Sequence, residues 1–329
     1  MLIDVHTHIV PEKLPDFSKR SGGNGWPSMD PVDSCSARVM IAGKNFRTVT
    51  DQCWSVPRRL EDMDADAVKR QVLSPMPKLF SYGFEPGDTL DFCRYVNGVI
   101  AEMMQAAPQR FFGLGIVPLQ DAHLAANELA HIRAAGLQGV EIGTNINGKS
   151  LGDPEFLPFF QEAERQGVPI FVHAQDPTEP GRFSGPPLLS NLIGFPLENL
   201  LAATTLITGG VIERCPGLRV LFSHGGGGFA MALPRLDQGW RTMQQWLPRP
   251  PSQYVANFYF DTLLYDAPSI GLLIAKFGAQ RVMVGSDYPF VVRETPPGLH
   301  LREVGELSAA QREHIHTRSA LEFLGVSGA

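Results

Sequence analysis

Two histidines, His6 and His8, close a short apolar run at the start of the chain. Side chains alternate along a strand, so both imidazoles point to the same side of it and can converge on one metal ion. A His-x-His pair alone is a weak signal, because buried histidines satisfied by ordinary hydrogen bonds are commoner than metal ligands. Three further apolar runs end in a side chain that could bind the same ion, namely His173, His224 and Asp287.

These side chains suit a divalent metal. Imidazole nitrogens and a carboxylate oxygen are ligands that Zn²⁺ prefers, and a catalytic site keeps one position open for water. We therefore expect one divalent ion, with zinc as first choice and manganese as the alternative. The competing interpretation, that each histidine is an ordinary polar core residue, would have to hold at several strand ends at once. The remaining histidines are expected at the surface: His123, His131, His300, His314 and His316.

Strand-like and helix-like segments alternate along the chain, which predicts a parallel sheet. Eight such units predict a closed (β/α)8 TIM barrel of the α/β class, whose C-terminal strand ends form one rim where catalytic groups lie. The rival, a doubly wound open sheet, normally has a Gly-rich phosphate loop after its first strand, where this chain has His-x-His. The predicted strands cover residues 1–8, 71–75, 111–117, 139–142, 170–173, 220–224, 258–261 and 282–284. The predicted helices cover residues 57–68, 88–107, 121–135, 154–166, 197–213, 229–246, 268–277 and 308–324.

A long segment after the first strand, residues 10–56, is rich in Pro, Gly, Ser and Asp and has little helical periodicity. Within it, residues 37–41 and 45–49 are typical of a small hairpin across a turn at Gly43 and Lys44. Structureless loops of this length are uncommon in compact domains unless they serve a site. We expect a single domain, residues 1–329, in which this insertion covers the active-site mouth.

Composition narrows the class of protein. The net charge of −6, with no Lys/Arg-rich block, argues against a nucleic-acid partner. The four scattered cysteines favour reduced thiols over a disulfide framework. Neither a signal peptide nor an apolar stretch of membrane-spanning length is recognisable. We expect a soluble cytoplasmic protein with no membrane contact.

The order of these residues resembles the amidohydrolase superfamily: Asp-x-His-x-His in the first strand, single histidines in the fifth and sixth, and Asp in the eighth. No lysine ends the fourth strand, where binuclear members usually bridge two metals, so the resemblance implies one ion. More narrowly, the chain looks like the decarboxylase branch typified by 2-amino-3-carboxymuconate 6-semialdehyde decarboxylase. The segments that carry this likeness are 43–47, 59–64, 117–120, 224–227 and 285–290.

The resemblance implies roles for single residues. The metal would be held by His6, His8, His173 and Asp287, with Asp287 also counted as catalytic. His224 would act on the metal's water as its base or its hydrogen-bonding partner. Four residues would bind a small carboxylate substrate, namely Arg47, Lys44, Phe290 and Arg235, with Trp54 as a further wall. Arg235 matches an arginine that a neighbouring subunit donates in this family, which implies a homodimer.

The expected function is metal-dependent, non-oxidative decarboxylation of a small unsaturated or aromatic carboxylic acid, with 2-amino-3-carboxymuconate 6-semialdehyde as the first candidate. The electrons of the breaking bond could be received after hydroxide addition to the neighbouring double bond or through direct chelation of the substrate. Three segments depart from the family pattern and leave the identity of the substrate open: 174–175, 188–191 and 291–293. The alternatives are a metal-dependent hydrolase or hydratase of a lactone or oxo-acid, and a non-catalytic binding barrel.

Overall fold

A parallel sheet of eight strands forms the centre of the computed structural model, which describes residues 1–178, 180–186, 188–243 and 246–326. Each strand pairs with the next along the chain, so the predicted barrel order is confirmed. The strands are β1 (Ile3–Ile9), β5 (Arg70–Pro75), β6 (Phe111–Gly115), β7 (Gly139–Gly143), β10 (Ile170–His173), β11 (Val220–Phe222), β12 (Phe258–Asp261) and β13 (Val282–Met283).

The first and last strands close the barrel through residues that also carry the predicted site. Beyond β13, the carbonyl of Val284 accepts from the amide of Val5 at 2.9 Å. Asp287 then donates its amide to the carbonyl of His6 at 2.9 Å, and His8 donates to the carbonyl of Tyr288 at 2.7 Å. The backbone of the His-x-His strand is therefore fixed directly to the backbone of the Asp287 loop.

Helices α1 to α8 lie between the strands in sequence and pack against the outward-facing side chains of the sheet, whereas α9 and α10 follow the last strand. They are α1 (Val56–Ala65), α2 (Pro86–Ala106), α3 (Ala122–Ala134), α4 (Leu157–Gln166), α5 (Phe195–Thr208), α6 (Val211–Arg214), α7 (Phe229–Thr242), α8 (Ala267–Phe277), α9 (Ala309–Glu313) and α10 (Ser319–Leu324).

Side chains along the strands divide between two cores with a period of two. Phe171 and Leu221 belong to a cluster inside the barrel, which also contains Phe323 of the last helix. Their neighbours Val172 and Phe222 belong instead to the cluster between sheet and helices. Near-continuous apolar runs are what strands buried on both faces require, and this is why the strands were recognisable in the sequence.

The insertion after β1 forms an antiparallel sheet of three strands, β2 (Ser28–Pro31), β3 (Ser36–Ile41) and β4 (Lys44–Thr50). The predicted hairpin corresponds to β3 and β4. The sequence analysis missed β2, which contains Asp and Pro and lies half-exposed at the edge of the sheet. A further two-stranded ribbon, β8 (Asn145–Ile146) with β9 (Lys149–Ser150), follows β7.

Three predicted helices differ from those observed. The predicted helix 197–213 is divided at Gly209 and Gly210, because Gly210 adopts φ 73°. A π-helical segment, His314–Arg318, separates α9 from α10 within the predicted helix 308–324. The predicted helix 229–246 ends at Thr242, and its residues 244 and 245 lie outside the described residues.

The four cysteines are free thiols, three of them buried, in agreement with the expectation from their spacing. None of the helices in the described ranges combines the length and the apolar content that crossing a membrane requires.

The turn after β11 depends on glycine. Gly227 has φ 59°, and a Cβ placed there would lie 1.9 Å from the carbonyl oxygen of Pro196. Both the left-handed backbone and the close approach exclude a larger residue. This turn carries His224, so its geometry sets the position of that side chain.

Gly227→Ala is expected to lower the free energy of unfolding by more than about 2 kcal/mol, because it combines backbone strain with a backbone clash. Gly239→Ala in helix α7 is the matched control, since its nearest neighbour would be the Met243 sulfur at 3.9 Å. The control should be neutral or stabilising by up to about 1 kcal/mol. Urea unfolding measures both, and a wild-type midpoint in Gly227→Ala would contradict the tight packing described here.

Candidate metal centre

Four buried side chains converge at the C-terminal rim of the barrel, and each offers one ligand atom within 4.8 Å of the others: His6, His8, His173 and Asp287. The Nε2 atom of His6 lies 3.1 Å from Nε2 of His8 and 3.1 Å from Nε2 of His173. Asp287 Oδ1 lies 3.1 Å from Nε2 of His8 and 3.6 Å from Nε2 of His6. Ligands about 2.0–2.1 Å from a tetrahedral zinc ion would be separated by about 3.3 Å, so the spacing fits such an ion.

The outer nitrogen of each imidazole has its own hydrogen-bond acceptor. Nδ1 of His6 lies 2.7 Å from Asp261 Oδ2, and Nδ1 of His8 lies 3.2 Å from the carbonyl of Pro75. Nδ1 of His173 lies 2.8 Å from the carbonyl of Ala174. With the protons on Nδ1, all three Nε2 atoms present lone pairs to one another, an arrangement that a cation stabilises. This donor set fits a metal better than it fits ordinary satisfied core histidines.

Electrostatics around the cluster suit a cation. Burial, followed by the neighbouring His8 and His6, lowers the pKa of His173 well below its usual range. Burial also lowers the pKa of His8. For Asp287 burial alone would raise the pKa, but the hydrogen bond with His8 and the charge of His6 bring it to about 2. At neutral pH the cluster therefore combines neutral imidazoles at His8 and His173 with an ionised carboxylate at Asp287.

Asp261, at the end of β12, is a site residue that the sequence analysis missed. Its Oδ2 accepts from His6 and from the amide of His224 at 3.1 Å, and its Oδ1 accepts from the amides of Gly225 at 2.8 Å and Leu263 at 3.1 Å. Burial alone would lower the pKa of His6, but the hydrogen bond with Asp261 and the charges of Asp261, Asp287 and Asp4 together leave that pKa raised. The signal was available, because the predicted strand 258–261 also ends in a ligand-capable side chain.

His224 lies beside the cluster without forming part of it. Its ring centroid is 5.3 Å from that of His6 and 5.4 Å from that of His173. The Nε2 atom is buried and has no hydrogen-bond partner among the described residues. Burial, with a smaller effect from His6, lowers the pKa of His224 to about 4. A neutral imidazole with an unpartnered nitrogen can accept a proton or a hydrogen bond at this point.

Aromatic rings and one arginine border the cluster. Phe290 stacks on His8 with centroids 5.1 Å apart, and the guanidinium carbon of Arg47 lies 4.1 Å from the centroid of Phe290. The sequence analysis missed Phe195, whose ring lies 6.3 Å from His224 and 6.4 Å from His173. Its signal was hidden in a Pro/Gly-rich stretch that lacked periodicity. Two aromatic faces and a cation suit a flat, unsaturated anion.

Two predicted substrate-binding residues have exposed side chains. Lys44 is exposed at the start of β4, and among the contacts of the described residues none joins it to the four converging side chains. Arg235 is exposed on α7. Trp54 is half-buried and packs against the core. Arg47, by contrast, contacts Phe290, which stacks on His8.

The segment 174–175, which departs from the family pattern, is held by a polar cluster. Asn145 donates its amide to the carbonyl of Gln175 at 3.2 Å and to Glu198 at 2.9 Å. Gln175 donates its side-chain amide to the carbonyl of Asn145 at 3.0 Å, and the amide of Thr178 donates to Glu198 at 2.8 Å. The wall next to His173 is therefore polar and rigidly tethered.

The barrel interior contains a glutamate with no role in the cluster. Glu141 on β7 is fully buried, and neither carboxylate oxygen has a hydrogen-bond partner among the described residues. The hydroxyl of Ser74 donates instead to the carbonyl of Thr7 at 3.1 Å. Burial raises the pKa of Glu141 well above its ordinary value, so its protonated form is favoured.

Comparison with known proteins agrees with this geometry. Residues 3–326 match the family model described as amidohydrolase. The chain belongs to the amidohydrolase family. Among amidohydrolases, it is 38% identical over 330 residues to 2-amino-3-carboxymuconate-6-semialdehyde decarboxylase of Dictyostelium discoideum, covering 98% of this chain and 91% of that protein. The predicted branch and the predicted reaction class, a carboxy-lyase, are confirmed by this relative.

Solved amidohydrolase structures share the fold. Metarhizium anisopliae IDCase in apo form superposes with a TM-score of 0.83 at 21% identity, covering 99% of this chain and 97% of that one. The 5-carboxyvanillate decarboxylase of Novosphingobium aromaticivorans, complexed with manganese and 4-hydroxy-3-methoxy-5-nitrobenzoic acid, gives a TM-score of 0.72 at 22% identity, covering 84% of this chain and 82% of that one. At these identities the comparison establishes the barrel architecture alone.

Asp261→Asn is expected to weaken divalent-metal affinity by about 10–100-fold. Both oxygens of Asp261 accept from N–H groups, so an amide would set its NH2 against donors and release His6. Competition with a chromogenic chelator measures the affinity. Asp266→Asn, which changes the cap of α8, should leave it unchanged. Equal affinities for the two variants would show that Asp261 does not orient His6.

Glu141→Gln is expected to stabilise the protein increasingly as pH rises. Because the folded-state pKa is raised, the native wild type binds more protons than the unfolded chain above pH 4.5, and its stability falls with pH until the folded pKa is reached. The stability difference between Glu141→Gln and wild type should therefore grow by at most about 1.4 kcal/mol per pH unit. Urea unfolding between about pH 5 and 8 measures it. The exposed Glu61→Gln is the control, and a pH-independent difference for Glu141→Gln would contradict the assignment.

Proposed function

We propose that this amidohydrolase is a mononuclear, metal-dependent, non-oxidative decarboxylase of a small unsaturated or aromatic carboxylic acid. The observation that carries the proposal is the convergence of three Nε2 atoms and one carboxylate oxygen within 4.8 Å at the barrel rim. The relative from Dictyostelium discoideum supports 2-amino-3-carboxymuconate 6-semialdehyde as the first substrate to test. The altered wall around Gln175 makes related carboxylates the next members of the panel.

The proposed ligands are His6, His8, His173 and Asp287, holding one divalent ion. Three nitrogens and one carboxylate oxygen are a donor set that zinc favours. The manganese in the structure of 5-carboxyvanillate decarboxylase supports manganese as the alternative. Elemental analysis of purified protein, followed by reconstitution with each ion separately, distinguishes the two.

The remaining side chains supply binding and proton transfer. A divalent ion in this position supplies Lewis-acid polarisation and lowers the pKa of water toward neutrality. His224, neutral and unpartnered at Nε2, accepts a proton or a hydrogen bond beside the ligand set. Arg47 binds a substrate carboxylate, and Phe290 stacks on the flat unsaturated part of the molecule. These roles apply whether the substrate is activated by hydroxide addition or by chelation.

The insertion sheet covers the mouth of the site in this proposal. Arg47 on β4 contacts Phe290, which in turn stacks on His8, so the insertion and the barrel share one wall. The chain would thus be a single domain organised around one site. Its free thiols suit a reducing compartment, the cytoplasm.

A homodimer would complete the binding site through Arg235. This residue is exposed on α7, one turn after Met231, which is 71% exposed. Leu197 and Leu201, on α5, are each 46% exposed. Exposed apolar side chains near an exposed arginine are typical of the centre of an interface.

His173→Ala is expected to lose both the bound metal and activity. His224→Ala should retain the metal at wild-type stoichiometry and lose about 10²–10⁴-fold in kcat, because it removes only proton transfer. Metal content and carbon dioxide release measure the two effects separately. Wild-type turnover in His224→Ala would refute its role. Substrate consumption without carbon dioxide would favour the alternative, a hydrolase or hydratase of a lactone or oxo-acid.

Met231→Asp is expected to dissociate the homodimer and to raise KM, because it places a charge in the proposed apolar contact. Arg235→Ala should raise KM while the dimer persists. Light scattering gives the mass, and steady-state kinetics give KM. Lys276→Ala, on α8, serves as a surface control. A monomeric wild type with full activity would overturn the shared site without affecting the assignment of the ligands.

A further inference from the structure

One arginine of the chain has no solvent contact and no assigned role. Arg59, in the first half of helix α1, is fully buried. Its guanidinium extends from the helix into the seam where the first and last barrel strands meet. A buried charge is costly unless every donor is satisfied, so the seam must supply its partners.

The hydrogen bonds of Arg59 go to the strand that carries the proposed ligands. Nη1 donates to the carbonyl of His8 at 2.8 Å, and Nη2 donates to the hydroxyl of Thr7, between His6 and His8, at 3.0 Å. Nε donates to Gln71 Oε1 on the neighbouring strand β5 at 3.1 Å. Nη1 also donates to the carbonyl of Gln52, where the insertion returns to the barrel, at 3.2 Å.

The same guanidinium contacts the loop that carries Asp287. Its central carbon lies 4.7 Å from the ring centroid of Tyr288, the next residue after Asp287. The hydroxyl of Tyr288 donates to Asp62 on α1 at 2.8 Å, and its carbonyl accepts from the amide of His8 at 2.7 Å. Helix α1 is thus bound to both sides of the barrel seam.

The acceptors of Arg59 indicate that its side chain fixes the positions of its neighbours and does not neutralise a negative charge. All four acceptors of Arg59 are neutral: two carbonyls, a hydroxyl and an amide oxygen. A planar guanidinium fixes several acceptors in one rigid arrangement, which a flexible ammonium does not do. An apolar residue would fill the seam without the desolvation cost of a charge.

We propose that Arg59 is a positioning residue that holds the His6–His8 strand and the Asp287 loop at the spacing a divalent ion requires. The inference rests on the proposed metal function, since it assigns Arg59 a role toward that ligand set. Arg59 acts through the backbone of His8 and the ring of Tyr288 and touches neither metal nor substrate.

The test compares Arg59→Lys with Arg58→Lys, its exposed neighbour on the same helix. Apoproteins are titrated with Zn²⁺ and, separately, Mn²⁺ against a chromogenic chelator, and circular dichroism checks the fold. Arg59→Lys keeps the positive charge and loses the planar guanidinium that binds several acceptors at once, so the affinity of the variant for each ion should fall about 10–100-fold. Arg58→Lys should remain within twofold of wild type. At saturating metal, kcat of Arg59→Lys should return to near the wild-type value.

Wild-type metal affinity in a folded Arg59→Lys protein would overturn the inference, as would a kcat that stays low when metal is saturating. If Arg59→Lys does not fold, Gln71→Leu decides, because it removes the acceptor of Nε at similar size, whereas Thr7→Val would also remove the bond that Thr7 donates to the carbonyl of Val72. A folded Gln71→Leu protein with weakened metal binding supports the proposal, and one with native affinity refutes it. A wild type that binds neither ion would instead refute the proposed function, so the two failures are distinguishable.

Discussion

The site depends on the close approach of three imidazole nitrogens. The Nε2 atoms of His8 and His173 each lie 3.1 Å from Nε2 of His6, and their lone pairs face one another. Such an arrangement is unfavourable unless a cation lies among the nitrogens and an acceptor holds the proton at each outer one. The barrel meets the second condition with Asp261 and two backbone carbonyls. Asp287, an anion at neutral pH, adds the negative charge that would attract such a cation. The fold thus orients the proposed ligands through hydrogen bonds of its own, as the groups around a metal site do.

The hydrogen bonds that close the barrel are also those that bring the candidate site together. The hydrogen bonds that join β1 to the segment after β13 involve His6, His8 and Asp287 themselves. These residues come from opposite ends of the chain, so the proposed ligands of the two ends meet where the first and last barrel strands join. The stability of the sheet and the affinity for a metal are therefore coupled, and groups that bind the seam influence both.

The strands and the ligand candidates could be predicted from the sequence because the apolar runs and the possible ligands occur together. Buried parallel strands are continuous apolar runs, and the ligand-bearing side chains come directly at their ends. Asp261 was missed although it ends a predicted strand, because its partner is an imidazole and this pairing appears only in three dimensions. Phe195 was missed for a related reason, since an irregular stretch gives no period from which to infer its direction. The break at Gly210 follows from its left-handed backbone, whereas the strand Ser28–Pro31 depends on pairing with Ser36–Ile41, which its own residues do not signal.

The residues proposed to bind the metal and those proposed to bind the substrate lie in different kinds of segment. The proposed metal ligands lie at strand ends, where the backbone of the barrel fixes them, and all four match the family pattern. The proposed substrate side includes the loop after β10, where Asn145 donates hydrogen bonds to Gln175 and to Glu198 of α5. Loops can change their side chains without disturbing barrel hydrogen bonds, so substrate preference can diverge while the proposed metal chemistry stays the same. The rings of Phe195 and Phe290 lie beside His173 and His8, and aromatic faces in this position suit a flat acid.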